Sequence, residues 1–202
     1  MNERIAKIGS LVVIVSVIIF AICMLIPFNF GSYFICMFLP IGFLMMTAGF
    51  FNECENDKKV SGIVGIILAA VYIVLILLVY FAQTTVVQQG QLNDQAMQII
   101  NYKRGGLIFC YDLLGYGMMA LSTFFTGMTI IEKTKGDKVL KWLMMIHGIF
   151  FIGCFLIPMT GLFSNMSDNG SGIGGVVALE FWCAYFIPVG VLSMIHFRKG
   201  SK

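Results

Sequence analysis

Six long apolar segments dominate this 202-residue chain and constrain its fold more than any other feature. Each is close to or above the ~20 residues that a helix needs to cross about 30 Å of hydrocarbon. Because lipid offers no water to backbone amides, such segments close their hydrogen bonds internally as helices. We therefore predict an all-α bundle of six transmembrane helices, forming a single domain over residues 1–202. The predicted spans are 8–26, 33–51, 60–82, 107–131, 139–163 and 176–197.

The composition agrees with a protein whose main partner is the lipid bilayer. Hydrophobic residues make up 59% of the chain and charged residues 11%, whereas a soluble domain carries about 25% charged residues. A water-facing surface cannot be built from so few charges. The first span follows a basic Met1–Lys7 segment, as a signal peptide would. Its apolar run is long and lacks a clear cleavage site, so we expect it to be retained.

The cations are distributed unevenly among the predicted connections. Eleven of the 13 lysine and arginine residues fall in the two terminal tails and in the loops after the second and fourth spans. Only Lys103 and Arg104 fall on the opposite side. Because positive loops stay inside, the sequence predicts a multi-pass protein of the cell membrane with both termini in the cytoplasm.

A short motif occurs twice and suggests that the helices form hairpin repeats. Cys23–Pro27 reads CMLIP and Cys154–Pro158 reads CFLIP, and each closes an apolar run. The next span then carries cysteine, proline and glycine in the same order: Cys36, Pro40 and Gly42, then Cys183, Pro188 and Gly190. We expect a parallel repeat about an axis along the membrane normal. Chance alignment of common membrane residues is the alternative.

Proline and glycine residues of the repeat are candidate helix kinks. Proline removes one backbone hydrogen bond and frees a carbonyl one turn earlier. Kinks at similar depth would leave polar backbone around a central cavity, where irregular backbone is tolerated. Close packing is the alternative role, because both residue types are frequent in membrane helices. The predicted kinks are at Pro40, Gly115, Gly117 and Pro188.

Ionisable residues within the spans are the candidate ligand-binding groups. Asp112 and Glu180 lie roughly 6–9 Å below the outer boundary, at 1.5 Å per residue. In one outward-open cavity they would share a proton or a cation. Alternatively, both reach the interface, where Lys103 or Arg104 pairs with Asp112. Three tyrosines nearby in sequence are predicted to add hydroxyl groups: Tyr111, Tyr116 and Tyr185.

His147 is the remaining candidate in the interior, about eight residues inside the fifth span and roughly 12 Å deep. A proton relay or a ligand contact would suit this residue type. We favour a neutral histidine bonded to a hydroxyl, because Ser122 and Thr123 of the fourth span reach a similar depth. His196 borders Arg198 and is predicted to lie at the inner surface.

Two connections on the predicted outer side are long. Residues 91–102 place apolar residues at helical spacing, which predicts an amphipathic segment on the interface, with a polar linker as the alternative. Residues 164–175 are rich in glycine, serine and asparagine and predict a flexible turn.

The cysteines carry no Cys-x-x-Cys pair and no metal-ligand spacing, so we expect them to be small apolar residues. The chain contains no phosphate loop, serine elbow, HExxH pair or basic nucleic-acid face. We predict no catalytic residue, no metal, no cofactor and no nucleic-acid partner.

The leading functional prediction is a small solute-binding or transport module with an outward-facing cavity between the even-numbered spans. The alternative is a non-catalytic interaction, immunity or sensor subunit. It would pack against a partner protein or a second copy through small residues such as Ser61, Gly62 and Gly65. A lipid-modifying enzyme using Asp112, Glu180 and His147 is the third prediction, although the acids and the histidine are expected in opposite halves.

Overall fold

A computed structural model describes residues 1–90, 92–160 and 173–199, with backbone alone at Arg104, Ile173, Gly174 and Lys199. The described residues are helical and contain no strand. Six helical stretches are long and apolar enough to cross a membrane, which confirms the predicted all-α class. Most of the predicted turn at 164–175 lies outside the described residues.

The described residues form nine α-helices, of which eight build the six spans, because the second and fifth spans are each made of two; the ninth, α5, lies between the third and fourth spans. They are α1 (Asn2–Leu25), α2 (Asn29–Cys36), α3 (Leu39–Glu53), α4 (Lys59–Ala82), α5 (Asp94–Ile100), α6 (Leu107–Thr129), α7 (Lys135–His147), α8 (Phe150–Met159) and α9 (Ile173–Lys199). A π-helical turn at Gln83–Val87 continues α4, and 3-10 turns occupy Asn56–Lys58 and Tyr102–Arg104. The second span therefore comprises α2 and α3, and the fifth comprises α7 and α8.

The helix breaks of the second and fifth spans differ in whether a proline follows them. In the second span the break falls at Met37 and Phe38, and Pro40 then occupies the second position of α3. A proline there costs no helical hydrogen bond, because the first amides of a helix have no partner. In the fifth span the break falls at Gly148 and Ile149, where the sequence predicted none.

The other predicted kink positions lie within uninterrupted helices. Pro188 is inside α9, and α6 runs without a break through Gly115 and Gly117. A Cβ added at Gly115 would lie 2.9 Å from Ile76 Cδ1, and one added at Gly117 would lie 3.3 Å from Cys154 Cβ. Both glycines therefore allow neighbouring helices to approach α6 closely.

The spans form a closed ring in chain order. Contacts join α1 to α3, α3 to α4, α4 to α6, α6 to α7 and α7 to α9, and α9 returns to α1. One end of the ring carries residues 83–106, and we call this segment the capping loop. The opposite end carries Lys133, Lys135, Lys138 and Lys141, and we call it the lysine end.

The centre of the ring is filled by aromatic side chains from several spans. Phe43 meets Tyr72 at a ring-centroid distance of 5.6 Å and Phe186 at 6.3 Å. Tyr116 lies 5.7 Å from Tyr72 and 5.4 Å from Trp182, so the rings continue across the bundle. Phe43, Tyr72 and Phe186 are fully buried. The ring is therefore packed through its middle by large side chains.

Glycines bring α1 against both of its neighbours. A Cβ added at Gly9 would lie 2.6 Å from Met45 Cβ and 2.7 Å from the Gly42 carbonyl oxygen of α3. One added at Gly190 of α9 would lie 2.7 Å from Ile14 Cγ1. Gly42 and Gly190, which occupy the same place in the sequence repeat, thus both serve as contact points for α1.

The crossing at Gly9 gives a direct stability test. Gly9→Ala is expected to lower the free energy of unfolding by about 1–3 kcal/mol, because the new methyl group overlaps backbone atoms of α3. Thermal unfolding of the detergent-purified protein measures the effect. Gly153→Ala is the matched control, since its Cβ would meet nothing closer than Ile157 Cδ1 at 3.7 Å. Equal melting temperatures for both variants would contradict the close crossing.

Candidate functional site

Asp112 is the most unusual ionisable residue of the interior. Its side chain is 2% exposed, and its Oδ2 atom lies 3.1 Å from the Tyr102 hydroxyl. Its Oδ1 atom is buried and has no hydrogen-bond partner. Within the described part of the chain no lysine or arginine forms an ion pair with it. A buried carboxylate without a counter-ion costs several kcal/mol, which makes Asp112 the candidate for binding a proton or a cation.

Tyr102 brings the capping loop onto this carboxyl group. It lies in the 3-10 turn that ends the loop, just before α6. Burial, and then the nearby Asp112 charge, raise the pKa of the Tyr102 hydroxyl well above its usual value. The phenol therefore keeps its proton and donates a hydrogen bond to the Asp112 oxygen. Asp112 is consequently covered by a residue that belongs to a loop rather than to a span.

Gln83 holds the capping loop in place. Its Nε2 atom donates to the Ile100 carbonyl oxygen at 2.7 Å, and its Oε1 atom accepts from the Tyr102 amide at 3.0 Å. Gln83 is 2% exposed and is the first residue of the π-helical turn that continues α4. The nitrogen and the oxygen of one side-chain amide thus fix the backbone on either side of Asn101.

Tyrosine rings line the closed site. Tyr33, Tyr80 and Tyr102 pack on one another with centroid distances of 5.7, 5.8 and 6.2 Å. Deeper in the ring, the Tyr72 hydroxyl is buried and has no hydrogen-bond partner, like Oδ1 of Asp112. Tyr116, one helical turn after Asp112, lies against Tyr72. Asp112 Oδ1 and the Tyr72 hydroxyl are two of the four buried side-chain atoms without a hydrogen-bond partner in the described residues; the other two are Thr126 Oγ1, near the opposite end of α6, and Glu180 Oε1.

The other predicted ligand residues have different surroundings. Tyr111 is 41% exposed, and the Tyr185 hydroxyl donates to the Leu143 carbonyl oxygen at 2.6 Å. Glu180 is partly exposed, with its Oε1 atom buried and unpartnered, and no hydrogen bond joins it to Asp112 in the described residues. Lys103 is exposed, and the predicted pairing of Arg104 lies outside the described side chains. Tyr116 is the predicted residue that lies near Asp112.

His147 is part of a complete hydrogen-bond chain. Trp182 Nε1 donates to His147 Nε2 at 3.1 Å, so this ring nitrogen must accept. The other nitrogen, Nδ1, lies 2.8 Å from the Thr123 hydroxyl, which donates to the Ala120 carbonyl oxygen at 2.7 Å. This arrangement requires a neutral ring that donates from Nδ1. The sequence predicted a hydroxyl partner, either Ser122 or Thr123, and Thr123 is the one that contacts His147. Every polar atom of this hydrogen-bond network therefore has a structural role.

A second ionisable cluster, at the lysine end, was missed by the sequence analysis. His196 Nδ1 lies 2.8 Å from Asp137 Oδ1, and His196 Nε2 lies 3.1 Å from Glu53 Oε2. Ionised carboxylates only accept hydrogen bonds, so a histidine between two of them donates from both nitrogens as the imidazolium. Asp137 Oδ2 also caps α7 through Thr134. We call Glu53, Asp137 and His196 the clasp, because they join α3, α7 and α9.

His196 is 8% exposed, and Asp137 is 5% exposed. The prediction that His196 is an interfacial residue beside Arg198 therefore misses its partners. The sequence did contain a signal for this cluster, because ionisable residues stand at three span ends that face the same side. Glu53 ends the second span, Asp137 begins the fifth and His196 lies near the end of the sixth.

The small residues proposed for partner contact are used inside the molecule. Ser122 Oγ donates to the Gly65 carbonyl oxygen at 2.7 Å, and Ser61 Oγ donates to the Phe125 carbonyl oxygen at 2.9 Å. A Cβ added at Gly65 would lie 2.7 Å from Thr126 Oγ1. This face of α4 therefore packs against α6. The six cysteines are free thiols.

No protein family, curated protein or solved structure matches this chain.

The Gln83 contacts can be tested by hydrogen exchange. Gln83→Ala removes both side-chain bonds to the capping loop and leaves the Ile100 carbonyl and the Tyr102 amide unpaired. Because each bond contributes about 0.5–1.5 kcal/mol, exchange of amides in residues 94–104 should accelerate about tenfold or more. Mass spectrometry of deuterium uptake measures this change. Gln88→Ala, at an exposed position one turn later, should leave the exchange unchanged, and equal rates in both variants would contradict the clamp.

Proposed function

We propose that this chain is a multi-pass protein of the cell membrane that binds a proton or a small cation at Asp112. The capping loop covers the site on the outer side and opens to admit the ligand. The protein then acts as a small binding or transport module, as the sequence led us to expect. The site is closed in the described conformation, so the predicted outward-facing cavity would form only when the loop moves.

The observation that carries this proposal is the unpartnered oxygen of Asp112. Buried polar atoms are almost always hydrogen-bonded, and buried carboxylates are almost always paired with a positive charge. Among the described side chains, Asp112 Oδ1 has neither a hydrogen-bond partner nor a cation in ion-pair contact, and Tyr102 contacts only Oδ2. A proton or a small cation would satisfy this oxygen without any change in the packing of the spans.

The closed geometry also limits the size of the ligand. Tyr33, Tyr80 and Tyr102 are in contact with one another, so they leave no room for a large solute between them. A larger organic cation would require Tyr102 to leave with the loop. Carboxylate and tyrosine hydroxyl groups are hard oxygen ligands, which suit a proton or a monovalent cation.

Membrane insertion is supported by the surface of the ring. Large apolar side chains point outward on every span, among them Ile22, Leu78 and Ile152, each more than half exposed. A soluble monomer rarely exposes contiguous apolar surface on this scale. The asymmetric distribution of lysine and arginine supports an orientation with the lysine end in the cytoplasm.

One observation favours a second candidate function, a membrane interaction subunit. Helix α8, the second half of the fifth span, contains no buried residue, and Ile152, Leu156 and Met159 are 56–73% exposed. A groove lined by Leu113 of α6 and by Phe150 and Ile157 of α8 runs along the surface of these two helices. A partner helix would cover this surface. Co-purification of a second chain that is lost in Ile152→Asn would support this alternative.

Asp112→Asn tests the binding site. The amide has the same shape and no charge, so the folded variant should melt at or above the wild-type temperature, since an unpaired buried acid is removed. Wild-type protein should be stabilised by a lower pH or by one of Na⁺, K⁺ and ammonium, because a ligand that binds the folded state raises its stability. The variant should lose this dependence. Thermal unfolding of the purified chain, in a series of pH values and cations at fixed ionic strength, measures both.

Glu180→Gln is the matched control. Among the described residues Glu180 is a second carboxyl group with a buried, unpartnered oxygen, and like Asp112 it lies near the predicted outer end of its span. This variant should keep the wild-type dependence on pH and cations. A large loss of stability in Asp112→Asn would contradict the proposal and identify the carboxyl group as a structural element, especially if the wild type responded to neither pH nor cations.

Reporter fusions test the orientation. Green fluorescent protein fused after Lys202 should fluoresce, and alkaline phosphatase inserted after Gly90 should be active. The reverse pattern would place the lysine end outside and the capping loop in the cytoplasm. The two reporters give opposite readings in the two compartments, so each fusion serves as the control for the other.

A further inference from the structure

The outward face of α7 carries an apolar groove beneath a cluster of lysines. The groove is lined by Lys138, Val139, Trp142, Leu143 and Ile146. Val139, Trp142 and Ile146 are 46–52% exposed and recur at helical spacing, so they form one stripe along the helix. From Lys138 to Ile146 the stripe extends about 12 Å at 1.5 Å per residue.

Positive charge is concentrated at the mouth of this groove. Lys135 and Lys138 are exposed and lie on the same helical face as Val139 and Trp142. The acids nearby are already engaged, because Glu132 pairs with Lys141 at 2.8 Å and Asp137 bonds to Thr134 and His196. Glu132 also attracts Lys138 at longer range, but neither Lys135 nor Lys138 forms an ion pair with an acid among the described side chains. Trp142 lies one to two turns deeper, as an aromatic residue of the membrane interface does.

We propose that this groove binds one anionic phospholipid of the leaflet at the lysine end. Its phosphate contacts Lys135 and Lys138, and one acyl chain lies along Val139, Trp142 and Ile146. The apolar lining favours an acyl chain, and the charge at the mouth favours a negatively charged headgroup, so the two parts of a lipid match the two parts of the groove. A soluble anion would use the lysines alone and leave the apolar stripe unoccupied.

The position of the groove connects this lipid to the rest of the bundle. Leu143 lies on its wall, and the carbonyl oxygen of Leu143 accepts from Tyr185 of α9. Asp137, between Lys135 and Lys138, belongs to the clasp. A lipid in the groove therefore lies against the part of α7 that the clasp and Tyr185 fix to α9, and it should stabilise that contact.

The test measures lipid retention by the full chain. Native mass spectrometry in mild detergent, after titration with phosphatidylglycerol, should show one bound lipid. Lys135→Gln with Lys138→Gln should weaken the apparent affinity about tenfold or more, because each lysine near an anionic headgroup contributes to attraction. Val139→Phe, which fills the groove and keeps every charge, should weaken it as well. Lys59→Gln with Lys133→Gln removes the same charge from exposed positions at the same end and should retain the lipid.

Several outcomes would overturn the inference. Equal retention of phosphatidylcholine would show that the headgroup charge has no role. Equal retention of glycerol phosphate would assign the site to a free anion. Unchanged binding in the lysine double variant or in Val139→Phe would place the lipid elsewhere. The inference depends on the proposed membrane insertion but not on the Asp112 site. Asp112→Asn should therefore retain the lipid, so failure of one proposal is distinguishable from failure of the other.

Discussion

The structure depends on one constraint: the middle of the helix ring is packed with side chains, so each polar group there must be satisfied by another. Most of them are. His147 is bonded on both nitrogens, and the clasp satisfies His196 on both of its nitrogens. Along the contact between α4 and α6, a serine hydroxyl of each helix donates to a backbone carbonyl oxygen of the other. In the described residues four side chains depart from this pattern, namely Tyr72, Asp112, Thr126 and Glu180. Asp112 is the carboxyl group among them that is 2% exposed, and it lies beneath the one long loop that the structure describes in nearly all its residues.

The two ends of the ring are closed in different ways. At the lysine end, charged hydrogen bonds join three spans directly, and such bonds contribute about twice as much as neutral ones. At the other end, the capping loop is held over Asp112 by two bonds to Gln83 and one to the carboxyl group. Neutral hydrogen bonds contribute about 0.5–1.5 kcal/mol each, so releasing the loop costs a few kcal/mol. Separating the clasp would also require three packed helices to move. Releasing the capping loop therefore requires less free energy than separating the helices at the lysine end.

The architecture was largely predictable from sequence, because membrane-spanning length and hydropathy are local properties of the chain. The fourth span, predicted at 107–131, is found as the helix Leu107–Thr129. The first span begins at Asn2 rather than at residue 8, since a helix continues past the apolar segment into charged residues. A hydroxyl partner for His147 was also predictable, because Ser122 and Thr123 lie at a similar depth, but the sequence did not distinguish between the two. The break at Gly148 was not predictable, since neither the composition nor the hydropathy of the span changes there.

The environment of Asp112 could not be predicted for a different reason. Sequence distance favoured Lys103 or Arg104 as its partner, since a nearby cation is the usual solution for a carboxylate. Among the described side chains, Tyr102 contacts Asp112, and its position follows from Gln83, a residue 19 positions earlier that fixes the Tyr102 amide. The clasp was hidden in the same way, because Glu53 and His196 are 143 residues apart and come together only when the ring closes.

A buried acid with an unused oxygen reduces the stability of the folded protein, and the chain provides simple ways to remove it. An asparagine at position 112 would keep the contact to Tyr102 without the charge, and a lysine at 102 would neutralise it. The tyrosines around the site, by contrast, exclude water while adding no positive charge. Such an environment stabilises a carboxyl group that has bound a proton or a cation and destabilises the empty anion. If Asp112 binds its ligand reversibly, as proposed, the capping loop would respond to that binding, because Tyr102 contacts the carboxyl group directly.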